Sequence, residues 1–381
     1  MARGSITKRT GTKGNTSYLV RVEVGTDPVT GKRIQEAETF RTRKEAERRK
    51  TEWLSEIDRG VAVRRTPITV AELMAKWLEE VAAHRVRDTT RQGYADTIRL
   101  HILPDLGGIE VQRLTTSRVQ SFYARKLAAG VGPRTVQLCH LRLSPALRQA
   151  VRWQMVPANV CDNVEPPTVQ YKRGGTWNAD QLGRFQDAAR TDGLSPLWDI
   201  LATTGMRRGE ALGLRWRDVD LERGTLTVAQ SVVASKGAPL IQAPKTTAGS
   251  RTIRVLPSTV AALRAHRTAW LVRRLAAPPE LWQDHDLVIC TAIGSPINPN
   301  NVQRNFDRIV TAAGLPRVRL HDLRHSHASI LLGNGVPVHV VSQRLGHANP
   351  SITLSVYAHV LGGMEEAAID TLERLMERRT S

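Results

Sequence analysis

From residue 68 to residue 165 the chain keeps apolar side chains at three- and four-residue spacing and never settles into the two-residue alternation of a strand. Only helices bury such a pattern. The segments "TVAELMAKWLEEVAAH", "TTRQGYADTIRLHILPDLG", "TTSRVQSFYARKLAAG" and "GPRTVQLCHLRLSPALRQAVRW" are therefore predicted as a helical domain, with starts at Thr69, Thr90, Thr116 and Pro133. The period breaks in "MVPANVCDNVEPPTVQYKRGG", where Pro157, Pro166, Pro167 and two glycines interrupt any helix. Residues 166–175 read as a linker, so the chain divides into bodies on either side of it.

Ahead of the helical stretch, residues 1–62 read differently. Tyr18, Val20, Val22 and Val24 alternate before a turn rich in Asp, Pro and Gly, which predicts a hairpin. Thr42, with Glu45 three residues on, can cap a helix carrying Ala46, Trp53, Leu54 and Ile57, and Gly60 ends it. Behind the linker, residues 176–381 begin with a helix capped by Asn178, then a helix, a glycine turn and another helix. The stretch "GTLTVAQSVVASKGAPLIQAPKTTAGSRTIRVLP" then alternates as a small antiparallel sheet with Lys245 in the turn before its last strand, and the chain returns to helix from "TVAALRAH" onward. The expected fold class is mostly α with small β-sheets (α+β), in three domains. There is no internal repeat and no long low-complexity tract.

Charge narrows the partner. Lys and Arg number 55 against 36 Asp and Glu, a net charge of +19, which points to a polyanion such as nucleic acid. The first 65 residues are the most basic for their length, with 16 basic and 9 acidic side chains. Arg87, Arg91, Arg99, Arg125 and Lys126 could clamp a duplex backbone, although helical arginines commonly just face water. Anionic membrane competes as a partner, but no run of about 18 apolar residues could span a bilayer and the first residues lack a signal peptide's apolar core. A soluble, cytoplasmic protein without membrane association is expected. Cys139, Cys161 and Cys290 are odd in number and form no CxxC pair, so buried, reduced thiols are expected.

Four short blocks carry the chemistry. In "TGMRRGE", Gly205 permits a tight turn, and Arg207 and Glu210 are placed on one helical face, where the carboxylate can orient the guanidinium. "HDLRHSHASILL" sets His321, Arg324 and His325 on one side of a helix. Zinc is a rival reading of His321 and His325, weakened by the absence of an HExxH glutamate or a nearby cysteine. "LGHANPSITLSVYAHV" offers His347, then Asn349 as a cap and Pro350 as the first residue of a new helix bearing Tyr357. On one straight helix His347 and Tyr357 would sit about 15 Å apart, so a bend is needed for both to reach one phosphate. Each block alone is ordinary; an isolated tyrosine is more often a packed aromatic than a nucleophile. Taken in order, Arg207, Glu210, Lys245, His321, Arg324, His347 and Tyr357 are two forked cations for a phosphodiester, proton-transfer groups, and a phenol. With an ordinary pKa of ~10, only about a thousandth of that phenol is ionised at neutral pH, so it needs the cations and a base.

In this order the blocks, with "PKTTAGSRTIRVLP" as the second of the four, resemble the catalytic blocks of the tyrosine recombinases, or phage-integrase family, and the resemblance runs along almost the whole chain. It implies an N-terminal arm-type DNA-binding domain at 1–62, a helical core-binding (SAM-like) domain at 68–165 and a mixed α/β catalytic domain at 176–381. It implies that Arg207 and Arg324 bind the scissile phosphate with Glu210 supporting them. Lys245 would be the general acid for the leaving 5′ oxygen, His321 the general base, His347 a hydrogen-bond donor to the phosphate, and Tyr357 the nucleophile that forms a 3′-phosphotyrosyl link. The family reaction implies site-specific integration or excision, needing neither ATP nor a metal or other cofactor. It implies a homotetramer on double-stranded attachment-site DNA and allows an accessory directionality or DNA-bending protein. The tail "GGMEEAAIDTLERLMERR", amphipathic through Ile369, Leu372, Leu375 and Met376, could dock on a neighbouring protomer or on its own domain. A type IB topoisomerase, a catalytically silent DNA-binding protein and a zinc hydrolase are the rival readings.

Overall fold

The computed structural model describes residues 4–10, 16–26, 33–58, 68–169, 174–235, 237–243 and 249–357, with the isolated positions 369, 373 and 376. The chain forms two compact units, residues 1–171 and 172–381.

In the first unit, β1 (Gly4–Thr10), β2 (Thr16–Thr26) and β3 (Arg33–Phe40) form an antiparallel sheet in the order β1-β2-β3, and α1 (Arg43–Asp58) follows. The expected alternation is there: Val20 and Val22 are buried with Ala46 and Trp53 of α1. Thr42 and Glu45 exchange backbone bonds at the start of α1, as a capping box does. The hairpin turn and Gly60 lie outside the described residues.

The helical stretch follows as α2 (Val70–Trp77), which continues through a π-helical turn at Leu78–Ala82 into α3 (Ala83–Arg85). Next comes α4 (Asp88–Thr97), which passes through a second π-helical turn, Ile98–Ile102, into α5 (Leu103–Leu106); α6 (Thr116–Ala128) and α7 (Pro133–Arg152) complete the domain. Thr69 caps α2 and Pro133 opens α7 as expected. The helix expected to start at Thr90 begins at Asp88 instead, whereas α6 starts at Thr116 as expected, with Thr115 as its cap. Pro145 sits inside α7, where it cannot donate to the Leu141 carbonyl; Arg142 Nη1 takes that carbonyl at 3.4 Å while its guanidinium lies 3.7 Å from the Tyr94 ring centre. Of the basic side chains expected to face a duplex, Arg91 pairs with Asp88, Arg99 with Asp96, and Arg125 and Lys126 with Asp105.

The second unit opens on α8 (Ala179–Ala189), capped by Asn178 and Gln181, then α9 (Ser195–Thr204) and α10 (Arg208–Leu212). Strands β4 (Val219–Asp220), β5 (Thr225–Val228), β6 (Ser231–Val233), β7 (Leu240–Gln242) and β8 (Arg251–Arg254) form two small antiparallel sheets, β4-β5-β8 and β6-β7. Among the described residues five helices follow: α11 (Pro257–Ala276), α12 (Pro299–Ala312), α13 (Asp322–Gly333), α14 (Val338–Leu345) and α15 (Pro350–Tyr357). In its main core Phe185 and Phe306 are in ring contact with each other and with both Trp177 and Trp198. All three cysteines are free and buried. No helix among the described residues is long and apolar enough to cross a membrane. Of the tail beyond Tyr357 only the three isolated positions are described, so its expected docking falls outside them.

Candidate active site

Gly205 ends α9 at φ +65°, a left-handed turn in which a Cβ would strike His327 and Leu345 at 2.8 Å. Two residues later the chain enters α10, and Arg207 is its cap rather than part of its face. The expected Arg207–Glu210 pairing holds through a different geometry. Glu210 reaches back so that Oε2 accepts the Arg207 backbone N–H at 3.0 Å while Oε1 accepts Arg207 Nη1 at 2.7 Å. The other oxygen lone pairs are not idle: Arg251 Nη2 donates to Oε2 at 2.8 Å. The Arg207 side chain is 43% exposed and those of Glu210 and Arg251 only 8%, so Arg207 is the member open to a ligand. Burial alone would raise the Glu210 carboxyl, but the bonds from Arg251 and Arg207 hold it below the ordinary carboxylate range.

Arg324, in the first turn of α13, is buried, and its guanidinium spans two loops: Nη1 donates to the Gly205 carbonyl at 2.7 Å and Nη2 to the Leu345 carbonyl at 2.8 Å. Burial, then repulsion from Arg207, pushes its pKa down to about 10, which leaves it charged at neutral pH. His321 caps α13 rather than sitting on its face, because the helix proper begins at Asp322. Its ring meets the edge of His325 at 5.3 Å. Burial and the neighbouring His325 and Arg324 hold His321 at about 4, so it is neutral at pH 7.

Tyr357 ends α15 with 2% exposure, packed on Ala328, Leu332, Val341 and Leu345. Tyr357 thus packs as a core aromatic while its hydroxyl keeps a polar partner. The hydroxyl hydrogen-bonds His325 Nδ1 at 2.7 Å. Burial pushes the phenol up to about 12, and the Arg324 guanidinium offsets only part of that. The cationic neighbours therefore do not ionise Tyr357 in this arrangement.

The expected bend between His347 and Tyr357 is built as foreseen. Gly346 closes α14 at φ +68°, Asn349 Oδ1 accepts from Ser351 N at 2.9 Å, and Pro350 starts α15. His347 Nδ1 shares a hydrogen with the Thr353 hydroxyl at 2.8 Å. Burial lowers His347 to about 4, with Arg324, Arg207, Arg251 and His325 next in effect. That one imidazole feels side chains from α10, β8 and α13, so blocks far apart in sequence converge here. Lys245 lies outside the described residues. Beside the cluster, Arg207, Arg208, Ser231, Gln303, Arg319 and His321 line an open cleft. Arg208 is spent on the Pro299 carbonyl at 2.9 Å, which separates it from its neighbour Arg207.

Sequence reasoning passed over three residues. His325 was placed in the basic cluster but given no role, although it is the partner of the phenol. Arg251 is inside a quoted block, yet nothing in its spacing announced Glu210 as its partner. Arg344 reaches His327 Nε2, the Thr203 carbonyl and the Arg254 carbonyl, and fastens the end of α14, from which the chain runs on to His347. For the zinc reading, the described residues gather no group of three or more His, Cys, Asp or Glu around His321 and His325.

Comparison with known proteins finds matches over most of the chain. Residues 179–362 match the phage integrase family and residues 69–127 its N-terminal SAM-like domain. A tyrosine recombinase XerC-like protein of Caldanaerobacter subterraneus subsp. tengcongensis is 30% identical over 380 residues, covering 95% of this chain and 97% of the relative. The ICEBs1 integrase of Bacillus subtilis is 25% identical over 364 residues, covering 95% and 98%. In fold, the Tn1549 transposon integrase in complex with a circular intermediate DNA matches with a TM-score of 0.69 at 22% identity over 81% of this chain and 99% of that one. A lambda integrase tetramer bound to a Holliday junction matches at 0.58 and 18% identity over 92% and 94%. The chain belongs to the tyrosine recombinase, or phage integrase, family.

Proposed function

We propose that this protein is a site-specific DNA recombinase that integrates or excises a mobile element by cleaving and rejoining DNA through a 3′-phosphotyrosyl intermediate. The observation that carries the reading is the placement of the Tyr357 hydroxyl on a histidine beside buried Arg324, in the same cluster as half-buried Arg207. Arg207 and Arg324 hold the nonbridging oxygens of the scissile phosphate and stabilise the added negative charge as the phenol oxygen attacks phosphorus. The P–O5′ bond breaks, Lys245 gives its proton to the leaving 5′ oxygen, and the phenol proton goes to a histidine. His321 fills that last role by family pattern. His325 has a specific observation in its favour, since its Nδ1 already accepts or shares the phenol hydrogen. For a neutral His347 to donate to the phosphate through Nε2–H, its Nδ1 must accept from Thr353, an arrangement that the 2.8 Å contact permits.

The substrate is double-stranded attachment-site DNA in the cytoplasm, bound by residues 1–62 at arm-type sites and by 68–165 and 176–381 at the core site. The working form is a homotetramer on DNA, assisted by an accessory directionality or DNA-bending protein. Both lambda integrase assemblies and Tn1549 complexes with DNA have this fold, which supports the DNA partner. The test is a core-site duplex nicked near the scissile phosphate, so that the released fragment diffuses away. Native protein should accumulate a covalent adduct and Tyr357→Phe none. Relaxation of supercoiled plasmid lacking any target site would favour a topoisomerase, and binding without adduct a silent DNA-binding protein.

A further inference from the structure

Arg251 stands at the junction of every element that seats the phosphate-binding groups. It is the first residue of β8, and each of its three side-chain nitrogens donates: Nη2 to Glu210 Oε2 at 2.8 Å, Nε to the Arg344 carbonyl at 2.7 Å, and Nη1 to the Gly249 carbonyl at 3.2 Å. One oxygen of Glu210 thus joins Arg251 to the cap on which Arg207 sits. The Arg344 carbonyl joins it to the end of α14, whose next carbonyl, that of Leu345, receives Arg324. The backbone also makes room for this side chain. A Cβ on Gly346 would come within 2.8 Å of Arg251 Nη1 and 3.0 Å of its Cδ and Cζ, so the left-handed glycine is required by close approach as well as by the turn.

Charge gives the arrangement its purpose. An isolated Arg207–Glu210 pair would sum to zero, and its carboxylate would compete with a phosphodiester for the Arg207 guanidinium. A second guanidinium on the same carboxylate makes the hydrogen-bonded trio net positive and divides the grip of Glu210 between two partners. Arg207 is then aimed by Glu210 without being consumed by it.

The geometry points to Arg251 as a positioning residue of strand cleavage: it neutralises Glu210 from the buried side and ties the Arg207 cap to the Arg324–His347 loop, without touching DNA. This rests on the recombinase reading above, because it gives a role within that same reaction. Lysine cannot replace it fully, since a single ammonium on a flexible stem cannot hold Glu210 and the Arg344 carbonyl in a fixed fork.

The experiment measures single-turnover adduct formation on the nicked core-site duplex at saturating protein, with DNA affinity and thermal melting measured alongside. Arg251→Met should slow cleavage by roughly 100-fold, the scale of a catalytic group displaced by about an ångström, while the dissociation constant for DNA moves less than about threefold. Arg251→Lys should fall between Met and wild type. Adding Glu210→Gln to Arg251→Met should recover cleavage by about tenfold, because the uncompensated carboxylate is then gone. A purely structural role would instead lower melting temperature and cleavage together and leave the double variant no better than the single. That result, or wild-type cleavage by Arg251→Met, overturns the proposal. If Arg251→Met does not fold, wild-type cleavage by Arg251→Lys overturns it equally. Absence of adduct with the native protein defeats the recombinase reading itself, which keeps the two failures apart.

Discussion

The helical domain at 68–165 and the catalytic unit bury very different things. Among the described residues, the helical interior holds Val, Leu, Ile, Phe and Trp side chains, with Ser144 and Asn159 as its only buried polar residues, and these bond each other at 3.1 Å. The catalytic interior takes in Glu210, Asp322, Arg324 and His327 as well as its aromatic core. Apolar burial stabilises at about 25 cal/mol per Å², whereas each buried charge costs free energy that its partners only partly return. One interior is therefore built for stability, and the other gives up stability to hold charged side chains in fixed hydrogen-bonded positions.

Arg324 separates the two most sharply. Its pKa of about 10 means the fold resists its charge, by about 3 kcal/mol relative to the usual 12.5. Arg324→Met removes that resisted charge but leaves the Gly205 and Leu345 carbonyls without their donor, a loss of similar size. Stability should change by only about 1 kcal/mol, while adduct formation should fall about 10³-fold or more. Leu147→Ala in the helical core should do the reverse. It should cost roughly 2–5 kcal/mol of that domain's stability, and once bound to DNA the variant should cleave at the native rate. Denaturant unfolding followed region by region by hydrogen exchange, beside single-turnover cleavage, measures both; a large loss of stability in Arg324→Met would break the contrast.

Acid sharpens the comparison next. His327 accepts from Arg344 through Nε2, so Nδ1–H donates to the Ala202 carbonyl, and the ring must be neutral. Burial, with Arg344 and then Arg324 facing it, lowers its pKa from 6.5 to about 4. Between those values the unfolded chain takes up a proton that the folded ring refuses, so stability rises with pH across this window. The contribution is present above pH 6.5 and lost as pH falls through 4, about 3 kcal/mol in all. His327→Gln should lower the slope of unfolding stability against pH between pH 6.5 and 4 by up to one proton's worth, leaving the share of His321 and His347, which are lowered to about 4 as well. An unchanged slope would mean that His327 is not the group that titrates.

What could be read in the sequence follows the same division. Periodicity and caps are local, so the helices, the hairpin of β2 and β3, the bend at Asn349–Pro350 and the caps at Thr42, Thr69 and Asn178 were legible. The order of Arg207, Glu210, His321, Arg324, His347 and Tyr357 was legible as a pattern of residue types. Their surroundings were not. That Arg251 would find Glu210, 41 positions away, or His325 the phenol, 32 positions away, depends on tertiary packing that no local spacing encodes. The raised pKa of Tyr357 has the same source, because it comes from the apolar side chains of α13 and α14 closing over the ring.

The smallest effect tests whether the two regions differ only where charge is buried. Both contain the same device at a helix start. Thr69 accepts from Glu72 N at 3.2 Å while Glu72 accepts from Thr69 N at 2.7 Å, and Asn178 and Gln181 make the equivalent pair at 2.9 and 3.1 Å. A cap satisfies backbone donors within one turn and senses little beyond it, so its worth should not depend on which interior lies beneath. Thr69→Ala and Asn178→Ala should each cost about 1 kcal/mol, within a few tenths of each other, with cleavage by the folded protein unchanged. If Asn178→Ala cost several times more or slowed cleavage, the catalytic unit would be strained even at its first helix. The cost of its buried charges would then be spread through the whole unit instead of being confined to the site.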